Sequence, residues 1–251
     1  MEFWQVLALL AAAVCIGWIN NLAGAAGAIG LVLLQLILDL DIKEANVTLR
    51  LSALAIGLAG MVGFLSKGQR IPARMWVLGL LTVPGALLGS YLALSLPGWV
   101  YSTCLAAVLV TVLAQQLRRS LPPKSALGEN PPTWLLIIIF TLVGLHMGFI
   151  QVGFGLVCIL ALGAIHSRNL VEINSAKMAL VIVSAATSTT SMAFSDQFKW
   201  SPAIALGIGA GIGSFLASRW SVHRGHGAVR VVVIGICGSV LAWLGWQALV
   251  V

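Results

Sequence analysis

The chain repeats one pattern at a distance of 128 residues, and this repeat constrains the fold more than any other feature. In each copy, an apolar stretch interrupted by glycines is followed by a short charged link and by a helix that opens with Glu-x-Asn. A cation lies just inside each of these helices, Arg50 in the first copy and Lys177 in the second. Without gaps, the shift superimposes identical residues, among them Gly27 and Gly155, Glu44 and Glu172, Asn46 and Asn174, Gln69 and Gln197, Gly79 and Gly207, Gly85 and Gly213, and Ser90 and Ser218.

The composition places both copies in a membrane. Of the 251 residues, 60% are hydrophobic and only 8% are charged, and the mean hydropathy is +1.04. A soluble domain carries about 25% charged residues, so a water-exposed surface cannot be built from this chain. We predict an all-α polytopic membrane protein that contacts the lipid bilayer throughout. It has two inverted-topology repeats of about four to five membrane segments each, with glycine-broken or re-entrant helices, as in secondary transporters.

Apolar runs predict where the membrane segments lie. They divide the chain into a first repeat at 1–120, a cytoplasmic linker at 121–131 and a second repeat at 132–251. Two segments, 24–38 and 152–165, are short and follow glycine-rich breaks, so they are either full spans or arms of re-entrant hairpins. All predicted segments are 3–20, 24–38, 45–65, 72–95, 99–117, 133–150, 152–165, 171–194, 200–219 and 228–250.

The distribution of lysine and arginine predicts the orientation. Only Lys43 and Lys199 fall on one side of the membrane, whereas ten cations share the other side, which the positive-inside rule makes cytoplasmic. This assignment inverts one repeat relative to the other and places both termini on the non-cytoplasmic side of a bacterial inner (plasma) membrane. Because these links explain the net charge of +7, no basic surface remains for nucleic acid. The ten cations lie in the links Ser66–Arg74, Arg118–Asn130, His166–Glu172 and Arg219–Arg230.

The sequence lacks the patterns of several catalytic and metal-binding classes. Its four cysteines are isolated in apolar runs without a Cys-x-x-Cys spacing, which indicates neither a metal site nor a disulfide framework. No Walker, Gly-x-Ser-x-Gly or His-Glu-x-x-His pattern occurs, so nothing supports an ATPase or a membrane hydrolase. We therefore predict that the protein is not an enzyme and that it carries no cofactor.

Amide side chains accompany both glycine-rich breaks. A broken helix exposes unpaired N–H groups, and two helix N-termini that face each other near the membrane midplane can bind an anion. The alternative is close helix packing through small residues, which is common in membranes. Under the first interpretation, side chains at the breaks must stay small, and the substrate is bound by Asn20, Asn21, Gly24, Gly27, Gln151, Gly153 and Gly155.

Arg50 and Lys177 are the two cations that the predicted spans contain. A charge at the centre of a membrane costs about 3 kcal/mol, and no span carries an acidic residue at a similar depth. We predict that the missing negative charge is the substrate. The alternative is that both side chains snorkel to the nearer interface.

His146 and a run of hydroxyl residues at 187–191 have less specific interpretations. A histidine in a membrane can relay protons, and His146 is therefore the candidate relay, although a lone histidine also serves as a neutral packing residue. Serine and threonine hydroxyls commonly bond the backbone of their own helix, so the run at 187–191 indicates helix packing more than a pore lining.

Several of these motifs together resemble the TauE/SafE sulfite exporter family. They are the glycine-rich openings at Gly24–Gly30 and Gly148–Gly155, the stretch Glu172-Ile-Asn-Ser-Ala-Lys177, and the run from Trp200 to Gly225. The resemblance covers nearly the whole chain. It implies a transporter that exports sulfite, an organosulfonate or a related small sulfur oxyanion, and it extends the substrate-binding set to Asn174, Lys177 and Arg50. A passive anion channel and a transporter of another small organic anion remain open, as does a homodimer.

We predict that cysteines introduced at Asp41 and Ser167 are labelled from opposite sides of the membrane. These two residues occupy near-equivalent places in the two repeats, and inversion of one repeat exchanges their sides. The measurement is labelling in intact cells with a membrane-impermeant maleimide, in a background without Cys15, Cys104, Cys158 and Cys237. Labelling from the same side contradicts the inverted topology and the midplane site that depends on it.

Overall fold

A computed structural model describes residues 2–24, 26–107, 131–167 and 169–224, and the structural statements below concern these residues. The predicted span 228–250, the end of the predicted span 99–117 and nearly all of the linker 121–131 lie outside them.

The described residues form α-helices joined by short links. In chain order the helices are α1 (Phe3–Ala23), α2 (Gly27–Leu38), α3 (Ile42–Thr48), α4 (Arg50–Leu65), α5 (Ala73–Leu80), α6 (Val83–Ser95), α7 (98–107), α8 (Thr133–Phe149), α9 (Phe154–Ile165), α10 (Leu170–Met192) and α11 (Trp200–Arg224). The all-α class is confirmed for this part of the chain.

Four of the described helical segments are long and apolar enough to cross a membrane. They are α1, the continuous pair α3–α4, α10 and α11, and the bent pair α5–α6 makes a fifth if it is one span. The short helices α2 and α9 have 12 residues each, which gives a length of about 18 Å, less than the hydrocarbon thickness of about 30 Å. The segments predicted to be short are therefore short helices that follow a break.

The predicted single span 72–95 is bent by 41° between Leu80 and Val83. Pro84 stands in the first turn of α6 and has no N–H to donate to the Leu80 carbonyl. In the link between the two helices, the Thr82 hydroxyl donates to the carbonyl of Gly79 at 2.6 Å. The sequence prediction missed this bend because apolar composition alone does not register one proline.

The two helices that open with Glu-x-Asn have the same N-terminal cap. Asp41 accepts hydrogen bonds from the backbone of the first turn of α3, and Asn169 does the same for α10. Both caps lie upstream of the predicted span starts at 45 and 171. Arg50 therefore stands eight residues past the start of α3, about 12 Å along the helix, which is deeper than a helix start at 45 would place it.

Residues predicted to share the non-cytoplasmic side lie together at one end of the molecule. Lys199, just before α11, forms a 2.9 Å ion pair with Glu44 of α3, and its backbone N–H donates to the Thr48 hydroxyl. Gln5 at the start of α1 donates to the carbonyl of Ile37 at the end of α2. The α1–α2 hairpin thus returns to the end from which it starts.

Glycines allow two parallel helix pairs to pack at backbone distance. A Cβ atom on Gly85 of α6 would overlap the carbonyl of Thr141 on α8, and one on Gly213 of α11 would overlap the carbonyl of Val14 on α1. Gly85 and Gly213 are equivalent in the 128-residue repeat. The pairs α6–α8 and α1–α11 are therefore equivalent contacts, and each joins one repeat to the other.

Helix α10 lies at the centre of the described structure and packs against α4, α5, α6, α8 and α9. It runs antiparallel to α4, since a Cβ on Gly57 would meet Val181 and Ile182, whereas one on Gly60, a turn later, would meet Met178.

The outer surface of the described helices is apolar, as a lipid-facing surface must be. Its exposed side chains include Val77, Leu80, Leu87, Leu88, Ile204, Ile208, Ile212 and Leu216.

We predict that Gly85→Ala lowers the thermal stability of the purified protein, because the added methyl group forces α6 away from α8 at a cost of about 1–3 kcal/mol. Gly207→Ala is the matched control: its new Cβ atom would meet Leu51 at an ordinary distance of 3.6 Å. There the change should be neutral or slightly stabilising, since alanine favours a helix over glycine. Equal melting temperatures for both variants would contradict the packing described here.

Candidate functional site

Left-handed backbone conformations produce both helix breaks. Gly24 ends α1 with φ = 71°, and Gly153 precedes α9 with φ = 78°. Gln151, between α8 and α9, also has a positive φ of 65°, which a residue with a side chain adopts at a cost. Each break sits at a predicted glycine-rich segment.

The two breaks cross in direct backbone contact. A Cβ on Gly24 would overlap the backbone of Gly155 and Leu156, and a Cβ on Gly155 would overlap the Cα atom of Gly24. Gly27 packs beside Val152, its Cβ position lying 3.4 Å from the Val152 Cα atom. The predicted requirement for small side chains at the two breaks therefore has its cause in this crossing. In the described conformation Gly24 and Gly155 face each other and do not face an open space.

Arg50 and Asn46 bind the C-terminal carbonyls of α8. The Arg50 guanidinium donates to the carbonyl of Met147, to that of Phe149 at 2.9 Å, and to the Asn46 side-chain oxygen at 3.0 Å. The Asn46 amide also donates to the Phe149 carbonyl at 3.2 Å. The last carbonyls of a helix lack partners within the helix and carry its negative dipole end, so a cation and an amide stabilise them.

Lys177 and Asn174 do the same for α1. The Lys177 ammonium donates to the carbonyl of Asn21 at 2.5 Å and to the Asn174 side-chain oxygen at 2.7 Å. The Asn174 amide approaches the Leu22 carbonyl at 3.4 Å. Each repeat thus supplies the asparagine and the cation that stabilise the broken helix of the other repeat.

Neither cation reaches the surface of the described structure. Arg50 is 0% and Lys177 is 1% exposed, so the snorkelling alternative does not describe these side chains. Their hydrogen-bond partners are neutral carbonyl and amide oxygens, and within the described part of the chain neither cation forms an ion pair with a carboxylate. The crossing of the two breaks is consequently flanked by two buried positive charges.

Asn21 connects α1 to α11. Its amide nitrogen donates to the carbonyl of Ser214 at 3.0 Å and to the hydroxyls of Ser214 and Ser218 at 2.7 and 2.9 Å. Gly60 of α4 closes this cluster, because a Cβ there would overlap both Ser214 and the Asn21 amide. The donor groups of the Asn21 side chain are therefore occupied within the protein.

Of the remaining predicted residues, Gln151 and His146 lie at the α8–α9 break, and Asn20 lies near the end of α1. Gln151 donates to the carbonyl of Leu49 at 3.3 Å, and His146 makes a 2.9 Å bond with the carbonyl of Val152. Asn20 is half-buried, and its backbone carbonyl accepts the N–H of Gly24. The structure brings Gln151 beside the Arg50 helix, whereas Asn20 contributes its backbone and His146 bonds within its own break.

The predicted set omitted Tyr101 and Ser90, which are both buried at 1% exposure. The Tyr101 ring stacks edge-on against Phe149, with ring centres 5.8 Å apart. Ser90 lies beside Gly148. The repeat supplied a signal for Ser90, which matches Ser218, whereas Tyr101 matches Val229 and so has no such signal.

Comparison with known proteins gives one match. The family model "Sulfite exporter TauE/SafE" matches residues 9–244, which is nearly the whole chain. No curated protein and no solved structure matches the chain.

We predict that Asn174→Ala destabilises the protein, because it leaves the Leu22 carbonyl and one Lys177 N–H without a partner. Each unpaired buried group costs about 1–3 kcal/mol, so the thermal unfolding midpoint in detergent should fall by several degrees. Asn20→Ala is the matched control, since that half-buried side chain forms no hydrogen bond with the other described residues. An unchanged midpoint for Asn174→Ala contradicts the role assigned to this amide.

Proposed function

Because the chain belongs to the sulfite exporter TauE/SafE family, whose members are membrane transporters and not enzymes, we propose that it exports a small sulfur-containing anion by secondary transport. Sulfite and small organosulfonates are the substrates that the family name and the charge of the site favour. The observation that carries the proposal is the pair of buried cations, Arg50 and Lys177, on either side of the crossing of two broken helices.

The proposed substrate site lies at this crossing. A buried positive charge is costly unless a negative charge balances it, and carbonyl groups balance it only in part. A small anion that enters between the breaks would neutralise both cations in a region from which water is excluded. The glycine backbones at Gly24 and Gly155 would then separate to admit the anion, and their present contact represents a closed state.

The repeat equivalences support an inverted arrangement of the two halves. Helix α4 runs antiparallel to its equivalent α10, and the contacts α1–α11 and α6–α8 are exchanged by the repeat. In this arrangement the end that contains Glu44 and Lys199 is non-cytoplasmic in the cell membrane, in accord with the distribution of cations. Two inverted repeats that rock against each other around a fixed site are a known means of alternating access.

The contact between the breaks also favours a transporter over a passive channel. A channel needs a continuous path, whereas the Gly24 and Gly155 backbones touch at the proposed site. Passage therefore requires a conformational change for each anion, which limits the rate and makes the flux saturable.

The test is anion flux into liposomes that contain the purified protein. We expect sulfite uptake that is saturable and coupled to a gradient, and we expect external unlabelled sulfite to exchange with labelled sulfite inside the liposomes. Sulfite uptake should exceed sulfate uptake, because the family implies a sulfur oxyanion of lower oxidation state. The panel is sulfite, sulfate, thiosulfate, sulfoacetate and taurine. Large, non-saturating anion currents would support the channel, and no flux of any panel member above protein-free liposomes would contradict the proposal.

A further inference from the structure

Buried polar atoms without hydrogen-bond partners concentrate around the end of α8. The Nε–H of Arg50, the hydroxyl of Tyr101 and the side-chain oxygen of Gln151 are all buried and unpaired. These atoms belong to three different segments that meet at the α8–α9 break. An unpaired buried polar group is costly, so three at one place indicate that something polar belongs there.

Ser90 adds a further hydroxyl at the same place. Its oxygen is also buried and unpaired. Ser90 belongs to helix α6 and lies beside Gly148 of helix α8. Arg50 binds the two carbonyls that flank Gly148, those of Met147 and Phe149. The Tyr101 ring packs on the Phe149 ring. The side chains of Arg50 and Tyr101 and the backbone of Ser90 therefore all lie next to residues 147–149.

Thr189 of α10 also has an unpaired buried hydroxyl. It precedes Met192 by about one turn, and Met192 shares an apolar cluster with Val47, which precedes Arg50 by about one turn. Because α10 and α4 are antiparallel, Thr189 lies at the level of Arg50.

The serine that is equivalent to Ser90 in the other half is paired. Ser218, the counterpart of Ser90, donates to the Ser214 carbonyl at 2.9 Å and accepts from the Asn21 amide. The Asn21 side-chain oxygen beside it is buried and unpaired, and as an acceptor it repels an anion. The Arg50 side also has an unpaired acceptor, the Gln151 side-chain oxygen, but unpaired donors on Arg50, Tyr101 and Ser90 accompany it. Among the described residues, the two halves thus differ in their unpaired donors, which lie on the Arg50 side.

We propose that Arg50, Tyr101 and Ser90 bind the oxyanion directly, whereas Lys177 is a positioning residue that holds the end of α1 without touching the anion. This inference rests on the proposed function and assigns its substrate contacts. The free Arg50 N–H and the two hydroxyls are three donors, and a sulfite or sulfonate group presents three oxygens. Hydrogen bonds from neutral or charged donors to an anion are among the stronger ones in proteins.

The test compares Tyr101→Phe and Ser90→Ala with Ser218→Ala, the repeat-equivalent control. Sulfite binding to the purified protein is measured by calorimetry in detergent under nitrogen, and the melting temperature is measured without the anion. We expect Tyr101→Phe and Ser90→Ala each to weaken sulfite binding about tenfold or more. Their melting temperatures should stay equal or rise, because each variant removes an unpaired buried hydroxyl. Ser218→Ala should lower the melting temperature, since its hydroxyl is paired, and leave sulfite affinity unchanged.

The outcomes separate this assignment from the function on which it rests. Parental sulfite affinity in both Tyr101→Phe and Ser90→Ala overturns the assignment while leaving the transporter intact. An equal loss of affinity in Ser218→Ala, without a lower melting temperature, overturns the difference between the two halves. If the parental protein neither binds nor carries any anion of the panel, the proposed function fails, and the assignment fails with it.

Discussion

The arrangement of the core depends on how the C-terminal carbonyls of two broken helices are stabilised away from water. A helix that ends inside a membrane leaves its last carbonyls unpaired in a medium that offers no solvent hydrogen bonds. Arg50 with Asn46, and Lys177 with Asn174, supply the missing donors. Since each pair comes from the opposite repeat, neither break is complete without the other half of the chain.

Small residues determine how closely these parts approach. Backbone contact at the crossing, and in the pairs α1–α11 and α6–α8, requires glycine at each contact. Helices in lipid gain little from the hydrophobic effect between them, so close van der Waals packing must hold them together. The same glycines that permit the breaks therefore also set the spacing between the cations.

The all-helical class, the segments at which the breaks occur and the position of Arg50 and Lys177 within helices could be predicted from the sequence. Those features follow from composition, from glycine spacing and from the repeat. The carbonyl partners of the two cations could not be predicted, because Met147 and Asn21 lie about 97 and 156 positions away along the chain. The bend at Pro84 and the start of α3 at Ile42 each depend on a single residue. A hydropathy average over many residues does not reveal the effect of one residue. Tyr101 was missed because its relevance comes only from its place beside Phe149.

The contact between α1 and α11 has a consequence for biosynthesis. Asn21 and Ser214 are 193 positions apart, so a ribosome that adds 5–20 residues per second needs roughly 10 to 40 s between them. During that interval the first helix resides in the bilayer with its amide, its glycine face and its terminal carbonyls unmatched. The contacts of α1 with α11 can therefore form only after α11 has been synthesised, and the tertiary structure of the protein is incomplete until then.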